Sequence, residues 1–371
     1  SAGAARPHAV SSISGTVDGL TNPLYNYDAN GNFICASTGA SCSGTVGRYV
    51  NSTSFNMASS VLQGSTTVSL RYDDQHQRIR QTTLVSNSGT DTVYLNDPNN
   101  GAMSERVTAV TVTPTIWNSF NWNAAPWLAA TAYSAPTWVD YISLDGRIVA
   151  QRSAPPSTAS PVWGTAAWNF TWTASSAPTP TLSYFTLDHL GSVAVVADAA
   201  GNVVERIAYD PWGKRRNNNG TDAACGTITT SVTRGYTDQE MMPTQCLINL
   251  NARLYDPSIG KFMSPDSIVP DPDDGQSFNR YSYVNNGPLS FTDPTGHLPD
   301  SYMSRSEFFR QFSEGSVYYV PGGGSTSYPE GGNSDGLATA AAAVDRPSAG
   351  LSQKDTTLGS NQKASARSAY T

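Results

Sequence analysis

Three residue types of a hydrolytic triad lie close together in this sequence, at Asp188, His189 and Ser192. A triad requires the carboxylate to hydrogen-bond the imidazole and the imidazole to reach the hydroxyl. Adjacent residues of a strand point to opposite faces, so Asp188 and His189 do not suit that arrangement. We therefore interpret the group as a structural turn. The histidines show no metal-ligand spacing, and we predict neither a metal site nor a cofactor.

The four cysteines form two local pairs, Cys35 with Cys42 and Cys225 with Cys246. Each pair is close enough in sequence to close a hairpin or loop, which predicts two disulfides and an oxidising compartment. The alternative is that some of these cysteines are free buried thiols.

Many of the aspartates belong to a repeated unit that predicts turns. The unit is an aromatic or aliphatic strand end, then Asp, turn residues, Gly, a polar residue and an apolar strand. Copies lie at 27–33, 144–148, 198–204, 209–214, 255–262 and 292–296, with a degenerate copy at 72–79. The Asp accepts local backbone N–H groups, and the Gly takes the left-handed conformation that lets the next strand return.

Residues that flank these turns alternate between apolar and polar, as in 67–72 and 202–209. This is the period of half-buried antiparallel strands. Charged residues make up 14% of the chain, which disfavours long exposed helices. The sequence therefore predicts an all-β protein in which Tyr-Asp hairpins form a continuous spiral, shell-like sheet.

The charge and hydropathy of the chain exclude some partners. The formal net charge is −7, whereas binding to nucleic acid requires a positive surface. No apolar run is long enough for a membrane-spanning helix. The chain begins with Ser1 and shows no signal peptide, so we expect a fragment or a processed product of a longer protein.

Composition changes at two places along the chain. Residues 111–180 are rich in Trp, Pro and Thr and hold seven of the eight tryptophans. We interpret them as a β insertion that packs its aromatic residues internally, with a carbohydrate-stacking surface as the alternative. After His297, Gly, Ser, Ala and Thr dominate, and residues 298–371 are predicted to be largely disordered or extended.

Between these two regions, six motifs follow one another in a fixed order. They are 187–192 (LDHLGS), 208–213 (AYDPWG), 234–240 (RGYTDQE), 251–266 (NARLYDPSIGKFMSPD), 280–289 (RYSYVNNGPL) and 292–297 (TDPTGH). Together they resemble the RHS repeat-associated core domain of bacterial RHS/YD-repeat proteins, a group that includes Rhs polymorphic toxins and the C components of Tc insecticidal toxins. The resemblance covers 181–297 as the core, and 1–110 is similar to the YD repeats that precede such cores.

This resemblance implies an architecture and a processing event. YD strands wind into a shell that is closed by the core domain, and a variable C-terminal segment follows the core inside the shell. The core cuts its own chain at its C-terminal border with an aspartic-protease-like site. In this sequence the border motif is 293–297, which places the cleaved bond between His297 and Leu298.

The resemblance also implies the cleavage residues, which are an Arg and two Asp. The matching positions are Arg253, Asp266 and Asp293. Two carboxylates held close cannot both ionise, so one serves as the acid while the other activates water. The family motif is altered at Asp266, and Asp271, which is followed by Pro, is a rival for the first carboxylate because a small insertion has shifted the register. His297 replaces the usual Leu. On the residues alone, Asp266 and Asp293 would be turn-capping residues.

Two functions from different classes follow. The first is a toxin-delivery scaffold that encloses or presents its own C-terminal segment and separates it by autoproteolysis, acting once in cis. The second is a structural or adhesive extracellular YD-repeat protein in which cleavage is vestigial; a glycan-binding module is a weaker third reading. Expected partners are the C-terminal segment, upstream shell or secretion-system components, and other copies of the chain. Both readings imply export from a bacterium, to the cell surface or the medium.

Overall fold

A computed structural model gives the fold of this chain and describes residues 8–96, 103–113, 130–144, 146–155, 179–269, 271, 273–297 and 299. The chain divides into two compact units, Ser1–Val320 and Pro321–Thr371, and all described residues belong to the first. Three predictions lie wholly or largely outside the described residues. They concern Leu298, the segment 298–371 and most of the Trp-rich insertion. Of the seven tryptophans in that insertion, the structure describes only Trp138.

The described part of the chain is built from short and medium strands with four 3-10 helices. The strands are β1 (Thr16–Val17), β2 (Leu20–Thr21), β3 (Leu24–Tyr27), β4 (Phe33–Gly39), β5 (Ser43–Ser52), β6 (Ala58–Gln63), β7 (Thr66–Tyr72), β8 (Arg78–Val85), β9 (Ser88–Asn96), β10 (Met103–Thr113), β11 (Ala130–Tyr133), β12 (Thr137–Leu144), β13 (Arg147–Ala154), β14 (Thr181–Leu187), β15 (Val193–Ala197), β16 (Val203–Arg206), β17 (Ala208–Tyr209), β18 (Arg215–Arg216), β19 (Glu240–Met242), β20 (Leu247–Leu250), β21 (Arg253–Asp256) and β22 (Lys261–Phe262). The 3-10 helices are Ala40–Cys42, Tyr236–Asp238, Gly275–Phe278 and Val284–Asn286. The predicted all-β class is confirmed.

One large antiparallel sheet holds 14 of these strands. Its path runs from β16 through β15, β14, β13, β12, β10, β9 and so on to β3, and β11 pairs with the far end of β10. Neighbours in the sheet are mostly neighbours in sequence, which is the pattern expected of consecutive hairpins. Within the described residues the path is linear, with β3 and β16 as its end strands. The pairing of β13 with β14 carries the sheet across the predicted boundary at residue 180.

The predicted Asp turns connect many of these strands. In the turn between β3 and β4, the Asp28 carboxylate accepts the Asn32 N–H at 2.8 Å. The Asp188 carboxylate accepts the Ser192 N–H at 2.8 Å in the same way. Gly31 and Gly191 supply the positive φ angles, at 91° and 86°. Each turn therefore satisfies its own backbone donors locally, as the repeated unit predicts.

A four-stranded sheet formed by β19, β20, β21 and β22 follows the large sheet in sequence. Its residues Met242, Leu247 and Leu254 share a buried apolar cluster with Val61 and Val68 of the large sheet. Burial of such side chains stabilises the folded state by about 1.5–3 kcal/mol each. The small sheet is therefore packed directly against the first half of the large one.

Buried ion pairs join the same two sheets. Arg48 on β5 contacts Asp256 on β21, with 2.6 Å between Nη1 and Oδ2. Arg78 on β8 pairs with Glu240 on β19, and the Tyr94 hydroxyl donates to both Glu240 oxygens at 2.9 and 3.1 Å. These contacts neutralise charges that would otherwise be buried without a partner.

Both predicted disulfides are present. Cys35–Cys42 closes the connection between β4 and β5, with 5.9 Å between the Cα atoms. Cys225–Cys246 links the loop after β18 to the turn between β19 and β20, with 5.5 Å between the Cα atoms. In the described part of the chain, no helix is long and apolar enough to cross a membrane.

Candidate active site at the core border

Arg253, the first residue of β21, lies at the centre of the candidate site. Its guanidinium is buried and stacks over the Phe262 ring, 3.5 Å from the centroid. Arg253 Nη2 lies 2.8 Å from Asp266 Oδ2 and 3.6 Å from Asp293 Oδ2. The structure therefore brings the three predicted cleavage residues together on one guanidinium nitrogen. Their catalytic role stays a prediction.

Asp266 follows β22 and is held in place from several sides. Its backbone N–H donates to the Arg280 carbonyl at 2.9 Å, and its Oδ1 accepts the Ile268 N–H at 3.0 Å. The same Oδ1 lies 2.8 Å from Nδ1 of His297. Asp266 thus bridges Arg253 and the residue before the predicted cleaved bond.

Asp293 is 1% exposed and opens the border turn. Its Oδ1 accepts the Gly296 N–H at 2.8 Å and the His297 N–H at 3.1 Å. Its Oδ2 faces Arg253. One carboxyl group therefore caps the border turn with one oxygen and completes the buried charge cluster with the other.

Burial shifts the pKa of two groups in the site, Asp293 and Arg253. Burial raises the pKa of Asp293 above the ordinary value of an aspartate. The nearby Arg253 guanidinium opposes this rise only in part. Asp266 makes the shorter contact with Arg253. Burial also lowers the pKa of Arg253, although its two aspartate partners favour the charged form. A raised pKa favours the protonated form of Asp293, which is the form that the acid of a carboxyl pair requires.

A small polar pocket opens beside these groups. Besides Arg253, Asp266, Asp293 and His297, it is lined by residues of the 275–285 segment and by Pro299. This polar and charged lining suits a water molecule that is activated by a carboxylate. His297, the residue before the predicted cleaved bond, lines the pocket, and Leu298 is outside the described residues.

The other candidates from the sequence lie elsewhere or act locally. The Asp271 carboxylate accepts the Asp273 N–H at 2.9 Å and so caps its own turn. The Ser192 hydroxyl accepts the Thr237 N–H at 3.1 Å, and His189 contacts the Leu289 carbonyl at 3.1 Å. These contacts match the interpretation of 188–192 as a structural turn.

Two features of the site were not predicted. The first is the contact between the His297 side chain and Asp266. The sequence analysis considered His297 only as a departure from the family motif. Arg280 brackets Asp266, since its Nε donates to the Asp266 carbonyl. The motif at 280–289 signalled that this segment matters, but no local pattern pointed to these partners.

A comparison with known families matches a segment that contains Arg253 and Asp266 and ends before Asp293. Residues 181–289 match the family model described as Teneurin YD-shell. Salivary gland surface protein 1 of Aedes aegypti is 34% identical over 112 residues, which are 30% of this chain and 3% of that protein. The tRNA nuclease WapA of Bacillus subtilis is 34% identical over 110 residues, which are 29% of this chain and 4% of that protein. The match thus spans a small part of these relatives' length.

Several solved structures resemble the chain over a larger part of its length. TcdB2-TccC3 without its hypervariable C-terminal region has a TM-score of 0.43 at 17% identity, covering 78% of this chain and 14% of that one. A Photorhabdus luminescens Tc holotoxin pore has a TM-score of 0.44 at 17% identity, covering 82% of this chain and 14% of that one.

Proposed function

We propose that this chain is an RHS/YD-repeat protein and, on that premise, that it is a scaffold that cuts itself once, between His297 and Leu298. The cut separates a variable C-terminal segment from the β scaffold that encloses or presents it. The observation that carries this proposal is the convergence of Arg253, Asp266 and Asp293 on the border turn.

The proposed reaction is hydrolysis of one peptide bond in cis. Asp266 takes a proton from water, and the hydroxide that results adds to the His297 carbonyl carbon. Negative charge develops on the His297 carbonyl oxygen, where Arg253 stabilises it and protonated Asp293 donates its proton. The proton that Asp266 took passes to the Leu298 nitrogen, the C–N bond breaks, and a proton from the new carboxyl group returns to Asp293. The products are a new carboxylate at His297 and a new amine at Leu298.

A carrier role is supported by the range of proteins that share similar sequence. About 110 residues match proteins named as a salivary gland surface protein and as tRNA nucleases, in each case over a few per cent of their length. A segment shared by proteins with such different names suits a scaffold better than a specific activity. The partners would be the chain's own C-terminal segment, upstream shell or secretion components, and possible further copies of the chain.

Two disulfides support export, since such bonds persist in oxidising compartments. We place the protein at the surface of a bacterium or in its medium.

The second candidate function is a structural or adhesive surface protein without cleavage. It is favoured by the contacts of Asp293 Oδ1, which are those of a turn cap and would be needed in an uncut protein as well. The buried Arg253 cluster would then stabilise the fold and do no chemistry.

Intact-mass spectrometry of the freshly purified full chain distinguishes the two. We expect the wild type to break between His297 and Leu298, and Asp293→Asn and Asp266→Asn to remain whole. Asp271→Asn is the matched control, because this carboxylate caps a turn outside the cluster, and it should be cut like the wild type. Cleavage should slow as the pH rises through the raised pKa of Asp293, because the acid loses its proton.

A wild-type chain that remains whole from mildly acidic to neutral pH would reject self-cleavage and leave the structural role. Cleavage that is lost in Asp271→Asn but kept in Asp266→Asn would assign the first carboxylate to the rival position.

A further inference from the structure

The backbone carbonyls before the predicted cleaved bond are each held by a donor from another part of the core. The Pro294 carbonyl accepts two side-chain amides, from Asn251 Nδ2 at 2.9 Å and Gln239 Nε2 at 3.2 Å. The Thr295 carbonyl accepts the Ala252 N–H at 3.2 Å. The border segment is thus bound along its length before the chain reaches His297.

The next carbonyl continues the series. The Gly296 carbonyl accepts Nε of Arg253, the residue whose Nη2 contacts both carboxylates. Three successive carbonyls are therefore fixed, and the carbonyl that follows in order is that of His297. Fixing the three residues before a reacting bond limits where that bond can lie.

The Pro294 carbonyl, the first of the three, is held by side chains because proline cannot take part in a normal strand pairing. Pro294 has no N–H, so the segment cannot be held there by a pair of ladder hydrogen bonds, as an ordinary strand would be. Its carbonyl is the available backbone group, and two amides bind it.

The two amides come from well-anchored positions. Gln239 directly follows the 3-10 helix Tyr236–Asp238 and is 4% exposed. Its N–H donates to the Tyr236 carbonyl, and its own carbonyl accepts the Gly235 N–H, both at 2.9 Å. Asn251 occupies the turn between β20 and β21 with a φ of 64°, a conformation that asparagine tolerates better than most residues. Neither amide contacts the carboxylates, and so neither is placed for proton transfer.

We propose that Gln239 and Asn251 are positioning residues for self-cleavage, which hold the Pro294 carbonyl so that the His297 carbonyl meets Asp266 and Asp293. This inference rests on the proposed function. The proposed acid–base chemistry gives no role to Gln239 of the 234–240 motif or to Asn251 of the 251–266 motif. The positioning role explains why these two residues belong to the motifs.

The test measures the cleavage rate of the full chain by intact mass over time. Gln239→Met keeps the side-chain length without the donor, and Asn251→Gly removes the amide while suiting the positive φ. We expect each to slow cleavage by about tenfold, and the double variant by more. Gln245→Met is the matched control, since Gln245 is also a buried glutamine and its Nε2 has no hydrogen-bond partner among the described residues.

A second readout separates positioning from general loss of stability. The midpoints of the pH–rate profile should stay unchanged in the double variant, because both carboxyl groups keep their surroundings, while the plateau rate falls. In an uncut Asp266→Asn background, hydrogen exchange at the Gly296 and His297 amides should become faster in the double variant and not in the control.

Outcomes distinguish this inference from the proposed function. A wild type that cuts itself, with Gln239→Met and Asn251→Gly cutting at the wild-type rate, overturns the positioning role alone. A wild type that does not cut overturns the proposed function and the positioning role with it. Slower cleavage with thermal stability equal to that of Gln245→Met supports the inference.

Discussion

Replacing Arg48 with methionine removes the guanidinium from a buried cluster while keeping an unbranched apolar side chain. In the native protein that guanidinium donates to Asp256 and to the Gln245 carbonyl, both at 2.6 Å, and to the Gln63 side chain at 2.9 Å. Asp256 is 2% exposed, so solvent cannot replace the lost partner. We expect the free energy of unfolding at pH 7 to fall by about 3–5 kcal/mol, the usual cost of leaving one charge of a buried pair alone.

The loss should depend on pH, and its sign follows from Asp256. Burial raises the pKa of Asp256, and Arg48 is the main group that opposes the rise. In Arg48→Met the pKa of the folded state therefore rises further, so ionisation of Asp256 favours unfolding. This cost is absent below the unfolded-state pKa of about 3.9 and grows as the pH rises through the folded-state value. The deficit relative to wild type should be larger at pH 7 than at pH 4.

Urea denaturation at both pH values measures the effect. Arg48→Met/Asp256→Asn should recover part of the stability, because the amide carries no charge. Arg152→Met is the matched control, since the Arg152–Asp140 pair has a similar length of 2.9 Å but both side chains are more than a third exposed. It should cost at most about 1 kcal/mol. A loss of that small size for Arg48→Met, or one that does not change with pH, would refute the reasoning.

Three further changes test other parts of the molecule. Burial and Glu240 raise the pKa of Glu105 to about 7, so ionised Glu105 destabilises the folded state above that pH. In urea denaturation, Glu105→Gln should be more stable than wild type by roughly 2–3 kcal/mol at pH 8 and equally stable at pH 4. Gly296→Ala would place a methyl group on the Leu250 carbonyl oxygen, and intact mass should show cleavage slowed by about a hundredfold or more. Replacing Cys225 and Cys246 with alanine opens a loop of 21 residues and should lower the stability by about 3 kcal/mol, seen as a lower Tm; an unchanged Tm would contradict this.

Local patterns in the sequence predicted the strands and turns well, because their causes are local. An Asp that accepts the N–H four residues later needs no distant partner, as Asp28 and Asp210 show. The alternation of apolar residues likewise reflects a sheet with one buried face. These features depend on residues a few positions apart, so a single sequence contains them.

Contacts between distant segments could not be predicted in this way. Asp256 follows the same turn pattern as the other repeat aspartates, yet its second oxygen binds Arg48, 208 residues away. Nothing near either residue distinguishes this pair. In the site, the family resemblance pointed to Arg253, Asp266 and Asp293. The hydrogen bond from Gln239 to the Pro294 carbonyl could not be predicted, because it depends on how the border segment packs.

The long sequence separation between Arg48 and Asp256 also limits when their contact can form during synthesis of the chain. Contacts that join residues this far apart form late, since the intervening chain must first be ordered. During synthesis Asp293 is the last of the cluster to emerge, only four residues before the predicted cleaved bond. The Arg253 cluster can therefore be complete only after all residues of the preceding sheets have been synthesised. Under the proposed function, a cut at His297 would then take place only after the whole scaffold had been synthesised.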